Sequence, residues 1–165
     1  MSDISSTANG TTAYTPSITD PSVAEEPSTG FHSYTVPWPG NTYIILEQAS
    51  RRAITLTASR IRLQHISEQT QDTGNRWLCV EDSGYLGFHN TKSGTYLGHN
   101  EWAMRATSTR FTSWESFTAR AHPQGGYQLH MPRWWYRLKI VVVASDGCGL
   151  EARNHGETRW EFVKA

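Results

Sequence analysis

Short runs of alternating apolar and polar residues follow one another through residues 41–165. Ile54-Thr55-Leu56-Thr57 and Ile61-Arg62-Leu63-Gln64 are two examples, and their period of two is typical of half-buried strands. Gly, Asn, Asp and Ser separate the runs, and no stretch keeps a helical period over three turns. Residues 51–71 have the best helical propensity in the chain, yet their alternation predicts two strands. The pattern therefore predicts an all-β domain.

The alternating runs repeat at a spacing of about 42 residues. A tyrosine opens a run in each unit, at Tyr43, Tyr85 and Tyr127. A tryptophan closes each unit on a predicted fourth strand, at Trp77, Trp114 and Trp160. Three units of four strands match the strand number of a β-trefoil, in which six strands close a barrel and three hairpins cap it. We expect units at about 41–82, 83–124 and 125–165, with the three tryptophans forming one layer of the core.

Residues 1–40 differ from the rest in composition. Of these 40 residues, 22 are Ser, Thr, Pro or Gly, and such a segment buries too little apolar surface to offset its ordering entropy. We expect a largely irregular tail. Its last part, residues 31–40, carries three aromatics and is expected to dock on the body as an arm, although Pro37 and Pro39 prevent it from being a central strand.

Charge and composition exclude several classes of protein. The net charge is zero, divided into −4 over residues 1–40 and +4 over residues 41–165, and a body at +4 makes a nucleic-acid partner unlikely. No apolar run approaches the ~18 residues of a membrane helix, and no secretory leader pattern opens the chain. Two cysteines cannot build a disulfide framework, so a cytoplasmic location is expected. No metal-ligand spacing and no phosphate-binding loop is present, so neither a metal nor a cofactor is expected.

Several motifs resemble those of the fascin-like β-trefoils of the actin-crosslinking superfamily. The second unit carries the best match, with Gly94-Thr95-Tyr96-Leu97-Gly98-His99-Asn100, Ala103-Met104-Arg105-Ala106 and Trp114-Glu115-Ser116-Phe117. The third unit offers Gly126-Tyr127 and Trp160-Glu161-Phe162. The resemblance covers residues 41–165 and is nearest to small single-domain fungal members. It implies a fold and carries over no binding residue.

The sequence differs from two related groups of β-trefoil proteins, and both differences limit what can be inferred about its function. Fascins resemble four trefoils in tandem, so one trefoil could crosslink filaments only as an oligomer. Trefoil lectins of the ricin type use Gln-x-Trp on the fourth strand. The corresponding positions here are Asn75-x-Trp77, Thr112-x-Trp114 and Thr158-x-Trp160, which do not support that sugar site.

The run Arg133-Trp134-Trp135-Tyr136-Arg137 is the most unusual segment of the chain. It lies in the loop predicted between the first two strands of unit three. Alternation puts Trp134 and Tyr136 on one face and Trp135 on the other. Aromatic residues flanked by Arg dominate recognition sites; the alternative is that one tryptophan caps the barrel and the other pins the N-terminal arm.

A second candidate cluster lies in unit two. His89-Asn90 and His99-Asn100 are expected at the ends of two hairpin strands, and Glu101 and Trp102 follow directly. A His beside a carboxylate can act as a general base near neutral pH. The alternative is ordinary turn chemistry at strand ends.

The sequence thus favours a binding module without chemistry of its own. We expect it to recognise a protein, a filament, a glycan or a small aromatic ligand through Arg133–Tyr136 and the unit-two residues His89, Asn90, His99, Asn100 and Trp102. The alternative is a small fungal secondary-metabolism enzyme, a cyclase or isomerase, with His89, His99 and Glu101 as its acid–base groups. A third class is a loop-mediated protease inhibitor.

Overall fold

Twelve β-strands make up the secondary structure of the computed structural model, which describes residues 35–67, 73–101, 103–133 and 137–165. In chain order the strands are β1 (Thr42–Glu47), β2 (Ala53–Thr57), β3 (Arg60–Gln64), β4 (Trp77–Asp82), β5 (Tyr85–Asn90), β6 (Tyr96–His99), β7 (Met104–Ser108), β8 (Thr118–Ala121), β9 (Tyr127–Arg133), β10 (Arg137–Val143), β11 (Leu150–Arg153) and β12 (Trp160–Lys164). Two short 3₁₀ helices lie at Thr73–Asn75 and Ser113–Glu115. The prediction of an all-β domain is confirmed, and β2 and β3 are the two strands predicted within residues 51–71.

All strand pairs are antiparallel. The longest ladders join β4 to β5, β1 to β12, β2 to β3, β9 to β10, β10 to β11 and β8 to β9. The ladders follow the open order β11-β10-β9-β12-β1-β4-β5-β6-β7, with β2, β3 and β8 attached at its sides. Two isolated bridges add to this order, Ala103 with Glu151 and Leu86 with Phe117. Leu86 on β5 and Phe117, directly before β8, exchange two backbone hydrogen bonds of 2.8 Å.

Aromatic rings fill the middle of the core. Phe162 stacks on Phe88 and meets Tyr43 and Tyr127 edge to face, each at a centroid distance of 5.7 Å. Phe88 in turn lies 5.7 Å from Phe117. Such pairs add to the stabilisation that burial of the rings gives. The core therefore joins residues from strands far apart in sequence.

Two of the three predicted core tryptophans are buried. Trp77 and Trp160 are inaccessible to solvent, and each indole N–H donates to a backbone carbonyl, Ile54 at 2.8 Å and Val141 at 3.2 Å. These bonds satisfy the one polar atom of each side chain, so the rings enter the core without an unpaired donor. Each burial contributes on the order of 3 kcal/mol.

The prediction for the third tryptophan is wrong. Trp114 is 44% exposed, and Phe117 is the buried aromatic of that segment. The segment Ser113–Phe117, expected to be a strand, starts instead with a 3₁₀ helix at Ser113–Glu115. Thr112 and Glu115 form a capping box that stabilises this turn. The Thr112 side chain accepts a hydrogen bond from the backbone N–H of Trp114, and the Glu115 carboxylate accepts one from the backbone N–H of Thr112.

The residues directly before β1 contact the body. Thr35 donates a backbone hydrogen bond of 3.3 Å to Phe162, and Gly40 donates one of 2.8 Å to Cys79. The hydroxyl of Tyr43 accepts from the Trp38 backbone at 3.0 Å, while the Trp38 side chain is 68% exposed. Residues 1–34, which hold most of the predicted tail, lie outside the described residues.

The two cysteines are free thiols in different environments. Cys79 is buried on β4 and Cys148 is half-buried. Burial, with a smaller effect from Glu81, raises the pKa of the Cys79 thiol to about 12. Cys79 therefore stays protonated and packs as a small apolar side chain.

Across the described ranges, no helix has the length and apolar character that crossing a bilayer demands.

Candidate functional site

A cleft of about 580 Å³ lies where four segments of the chain meet. These segments are the turn between β4 and β5, the end of β6, the second 3₁₀ helix and the end of β9. The aromatic side chains that line it are Tyr85, Phe111 and Trp114. Concave sites with aromatic walls and a few placed polar groups are typical of small-ligand binding.

Trp114 reaches the cleft because the 3₁₀ helix packs closely on β6. A Cβ atom at Gly98 would come within 2.9 Å of the Trp114 carbonyl oxygen and 3.0 Å of the Glu115 side chain. Glycine at position 98 is therefore required for this approach. With the backbone of the turn held there, the indole projects into the cleft and keeps nearly half of its surface in water.

A second glycine allows Phe111 to line the neighbouring wall. A Cβ atom at Gly87 would come within 2.8 Å of the Phe111 ring, so only glycine leaves room for it. The Phe111 ring stacks on Tyr96 at 5.5 Å, and Tyr96 packs against His89 at 4.7 Å. These contacts pack the Phe111 wall against β5 and β6.

The turn between β4 and β5 supplies three lining residues, Asp82, Ser83 and Tyr85. Ser83 and Gly84 both have positive φ, 54° and 81°, which is the geometry of a tight two-residue hairpin turn. The turn pairs Asp82 with Tyr85. Both side chains line the cleft, and Tyr85 is 37% exposed.

Among the residues that the structure describes, the charged lining groups are two carboxylates and one guanidinium, from Asp82, Glu101 and Arg133. Arg133 donates from Nη1 to the backbone carbonyl of Glu101 at 2.5 Å. This bond ties the end of β9 to the loop after β6. The charged groups surround an aromatic interior that can take the apolar face of a ligand, while the polar groups can hold its edge.

His99 is the most deeply buried of the described polar residues that line the cleft, with only 2% of its surface exposed. Its Nδ1 lies 2.9 Å from the carbonyl oxygen of Asn100, and its ring packs on Trp114 at 5.1 Å. Burial lowers the pKa of His99, and the nearby Arg133 and Arg105 act in the same direction. The imidazole is therefore neutral at pH 7, with Nδ1 as the donor and Nε2 as an acceptor.

Of the residues expected to form a site, three meet in this cleft. His99, Glu101 and Arg133 come from two separate candidate clusters, yet all three line it. His89 lies opposite Tyr96 in the pairing of β5 with β6 and is not among the described lining residues. The two histidines are thus not cross-strand partners.

The two asparagines of the cluster make turn contacts. Asn90 is fully buried, donates to the Gly74 carbonyl at 2.8 Å and accepts from the backbone of Ser93 at 3.1 Å. Asn100 accepts from the backbone of Ala103 at 2.8 Å. Trp102, Trp134, Trp135 and Tyr136 lie outside the described residues, so their candidacy as ligand contacts stays a prediction.

Sequence reasoning missed several lining residues, above all Trp114. It assigned this residue to the core, although Thr112-x-x-Glu115 is a capping-box pattern that indicates a helical turn. The Ser83-Gly84 pair between two alternating runs is a comparable signal for the hairpin that presents Asp82 and Tyr85. Within the described ranges, no three His, Cys, Asp or Glu side chains are grouped so as to hold a metal ion.

No protein-family model and no curated protein matches the sequence. Solved structures do resemble the fold. SeviL, solved bound to an asialo-GM1 saccharide, has a TM-score of 0.60 and 11% identity, covering 76% of this chain and 96% of its own. The designed threefold-symmetric protein ThreeFoil has a TM-score of 0.61 and 14% identity, covering 75% and 99%.

A third similar structure is the GlcNAcα1-4Gal-releasing endo-β-galactosidase of Clostridium perfringens. It has a TM-score of 0.64 and 13% identity, over 76% of this chain and 32% of the enzyme. The chain thus matches about a third of that enzyme's length. At these identities the likenesses show the fold alone, which is all-β and β-trefoil-like.

Proposed function

We propose that this chain is a glycan-binding module whose site is the cleft beside Trp114. The single observation that carries the proposal is the half-exposed indole of Trp114 in a cleft bordered by carboxylates and a guanidinium. A sugar ring has an apolar face of C–H groups and an edge of hydroxyls. An aromatic side chain covers the face, and charged side chains hydrogen-bond the edge.

The charges of the cleft favour an uncharged sugar. Among the described lining residues, Asp82 and Glu101 carry two negative charges against the one positive charge of Arg133. Behind the lining, Glu115 and Arg105 both act on His99 with opposite charges. A sialylated or sulfated glycan end would meet net repulsion there. Neutral ends, with hydroxyls that donate to the carboxylates and accept from Arg133, suit this arrangement.

The structural comparisons support the same class of ligand. SeviL was solved bound to an asialo-GM1 saccharide, and the similar Clostridium enzyme acts on a galactoside. Galactose-containing oligosaccharides are therefore the first probes to use. The two similar structures support the choice of probe, whereas the lining residues of this chain support the location of the binding site.

A glycan microarray with the full chain, followed by calorimetric titration of the ligands it identifies, tests the proposal. We expect neutral glycans to bind and Trp114→Ala to abolish their binding. Trp38→Ala is the matched control, since Trp38 is also exposed but does not line the cleft. Failure of every glycan to bind, or equal losses in the two variants, would overturn the proposal.

A finer description of the fold belongs with this proposal. We infer that β1, β4, β5, β8, β9 and β12 close a barrel of three quasi-equivalent units. The Leu86–Phe117 bridge supports closure between β5 and β8. The pairs Tyr43–Trp77 and Tyr127–Trp160 support equivalence of the first and third units.

The fascin-like assignment stays a prediction. Co-sedimentation of the full chain with actin filaments tests it; sedimentation with the filaments would support a filament partner over a glycan.

A second candidate function is acid–base catalysis in the same cleft. The observation that favours it is that His99 and Glu101 both line the cleft while burial lowers the pKa of His99, which leaves a neutral imidazole as a base at pH 7. Turnover of a bound ligand, abolished by His99→Gln, would support an enzyme. Binding with unaltered ligand on recovery would exclude it for that ligand.

A further inference from the structure

The Nε2 atom of His99 is a buried hydrogen-bonding atom without a partner among the described residues. The neighbouring Nδ1 is engaged with the Asn100 carbonyl oxygen, which can only accept. The proton of the neutral imidazole therefore resides on Nδ1, and Nε2 presents a lone pair. A buried acceptor left unpaired destabilises the protein unless something donates to it.

The position of this acceptor points to a ligand. His99 lines the cleft, and its ring packs against the indole of Trp114. Because Nε2 is buried, a ligand in the cleft can reach it only after a side chain beside the imidazole rotates. Trp114, in ring contact with His99 and 44% exposed, is such a neighbour, and exposed side chains change rotamer within nanoseconds.

We propose that Nε2 of His99 accepts a hydrogen bond from a hydroxyl of the bound sugar and thereby fixes the orientation of the ring on Trp114. The inference rests on the proposed function, since it assigns a positioning residue to the same glycan site. The expected ligands are therefore neutral glycans with a free hydroxyl on the edge of the ring that faces His99. A sugar methylated or deoxygenated at that position has no O–H group to donate to Nε2.

The proposal predicts that binding requires the neutral imidazole. Protonation puts a second N–H where the ligand's donor must point. The charged groups around His99 are Arg133 from β9, Arg105 from β7 and Glu115 from the 3₁₀ helix, with Glu101 in the same lining. Burial and the two arginines lower the pKa of His99, against the Asn100 backbone and Glu115, which act to raise it. Affinity should therefore hold at neutral pH and fall only as the pH drops through this lowered pKa, which lies beneath the ordinary histidine value of about 6.5.

Two substitutions separate the roles of the two ring nitrogens. His99→Gln keeps an acceptor near the Nε2 position, whereas His99→Asn keeps only a group near Nδ1 that can still donate to the Asn100 carbonyl. With the asialo-GM1 oligosaccharide and methyl β-galactoside as probes, we expect His99→Asn to weaken binding about tenfold. His99→Gln should retain most of the affinity and lose its dependence on pH. Thermal unfolding of both variants provides the check that they are folded.

A nitrogen-15 NMR titration of the wild-type chain reads out the contact directly. We expect the Nε2 resonance of His99 to shift on addition of the sugar, with Nδ1 still protonated. Unchanged affinity in His99→Asn, together with loss of binding in Trp114→Ala, would overturn this inference and leave the glycan site standing. Absence of binding by the wild-type chain to any glycan would overturn both.

Discussion

Trp77 follows one short 3₁₀ helix and Trp114 lies within another; Trp77 is buried, whereas Trp114 lines a cleft. In the first region the helix Thr73–Asn75 ends two residues before Trp77, which enters the core. In the second region the helix Ser113–Glu115 ends two residues before Phe117, and that phenylalanine enters the core. Trp114 lies within the helix itself and faces outward. The difference shows that position relative to the 3₁₀ turn, and not residue type, decides which aromatic is buried.

The largest expected effect comes from removing a buried tryptophan. Trp160→Ala should lower the free energy of unfolding by about 3–5 kcal/mol, because it removes a large ring and leaves a cavity. Trp114→Ala should change it by less than about 1 kcal/mol, since its ring is half in water. Urea denaturation of the two variants measures both values. Losses of similar size would contradict the comparison.

The next largest effect is expected from substituting Gly98, on which the 3₁₀ helix that carries Trp114 packs. Gly98→Ala places a Cβ atom 2.9 Å from the Trp114 carbonyl and should destabilise the fold by about 1–3 kcal/mol, while also weakening glycan binding because the 3₁₀ helix must move. Gly149→Ala is the matched control, since its nearest neighbours would lie 3.6 Å away. If Gly98→Ala behaved like Gly149→Ala, the close packing of helix on strand would be refuted.

The capping box is expected to contribute less. Thr112→Ala removes the side chain that accepts from the Trp114 backbone and donates to Glu115, so it should cost about 1 kcal/mol in the free energy of unfolding. Thr107→Ala, at an exposed position on β7, controls for the loss of a threonine. Circular dichroism during denaturation provides the measurement. Equal effects would mean that the box does not hold the turn.

Acidification should give the smallest effect. Burial lowers the pKa of both His99 and His130, so below about pH 6.5 the unfolded chain binds more protons than the folded one. Above that pH both rings are neutral in the folded and the unfolded chain. As the pH falls, the unfolded chain takes up protons first, so the free energy of unfolding decreases. The unfolding midpoint should therefore decrease between pH 7.5 and 5.5, and less so in a His99→Gln/His130→Gln double variant. A midpoint that is flat in the wild-type chain would contradict this.

Local patterns predicted the strands well because alternation is a local signal. β2 and β3 lie where the period of two placed them. The 42-residue repeat predicted from the sequence aligns Tyr43 with Tyr85, but the burial of the two residues differs: Tyr43 is fully buried, whereas Tyr85 is 37% exposed. A 42-residue spacing cannot show this, because burial depends on which neighbours the tertiary packing supplies.

The candidate site was predicted only in part for a related reason. His99 and Glu101 are close in sequence and were found together, but Arg133 was assigned to a different cluster. Its contact with the Glu101 carbonyl joins residues 32 positions apart. The cleft exists because β6 and β9 meet the 3₁₀ helix in space, and no local pattern carries that information.

The indole N–H signals of the seven tryptophans test the central claim most directly. In a proton–nitrogen NMR spectrum of the full chain, titrated with a glycan that binds, the Trp114 signal should move while those of Trp77 and Trp160 remain in place and exchange slowly with solvent. Assignment by single Trp→Phe variants identifies each signal. Saturable binding that shifts the Trp77 or Trp160 signal and leaves Trp114 unchanged would contradict the account.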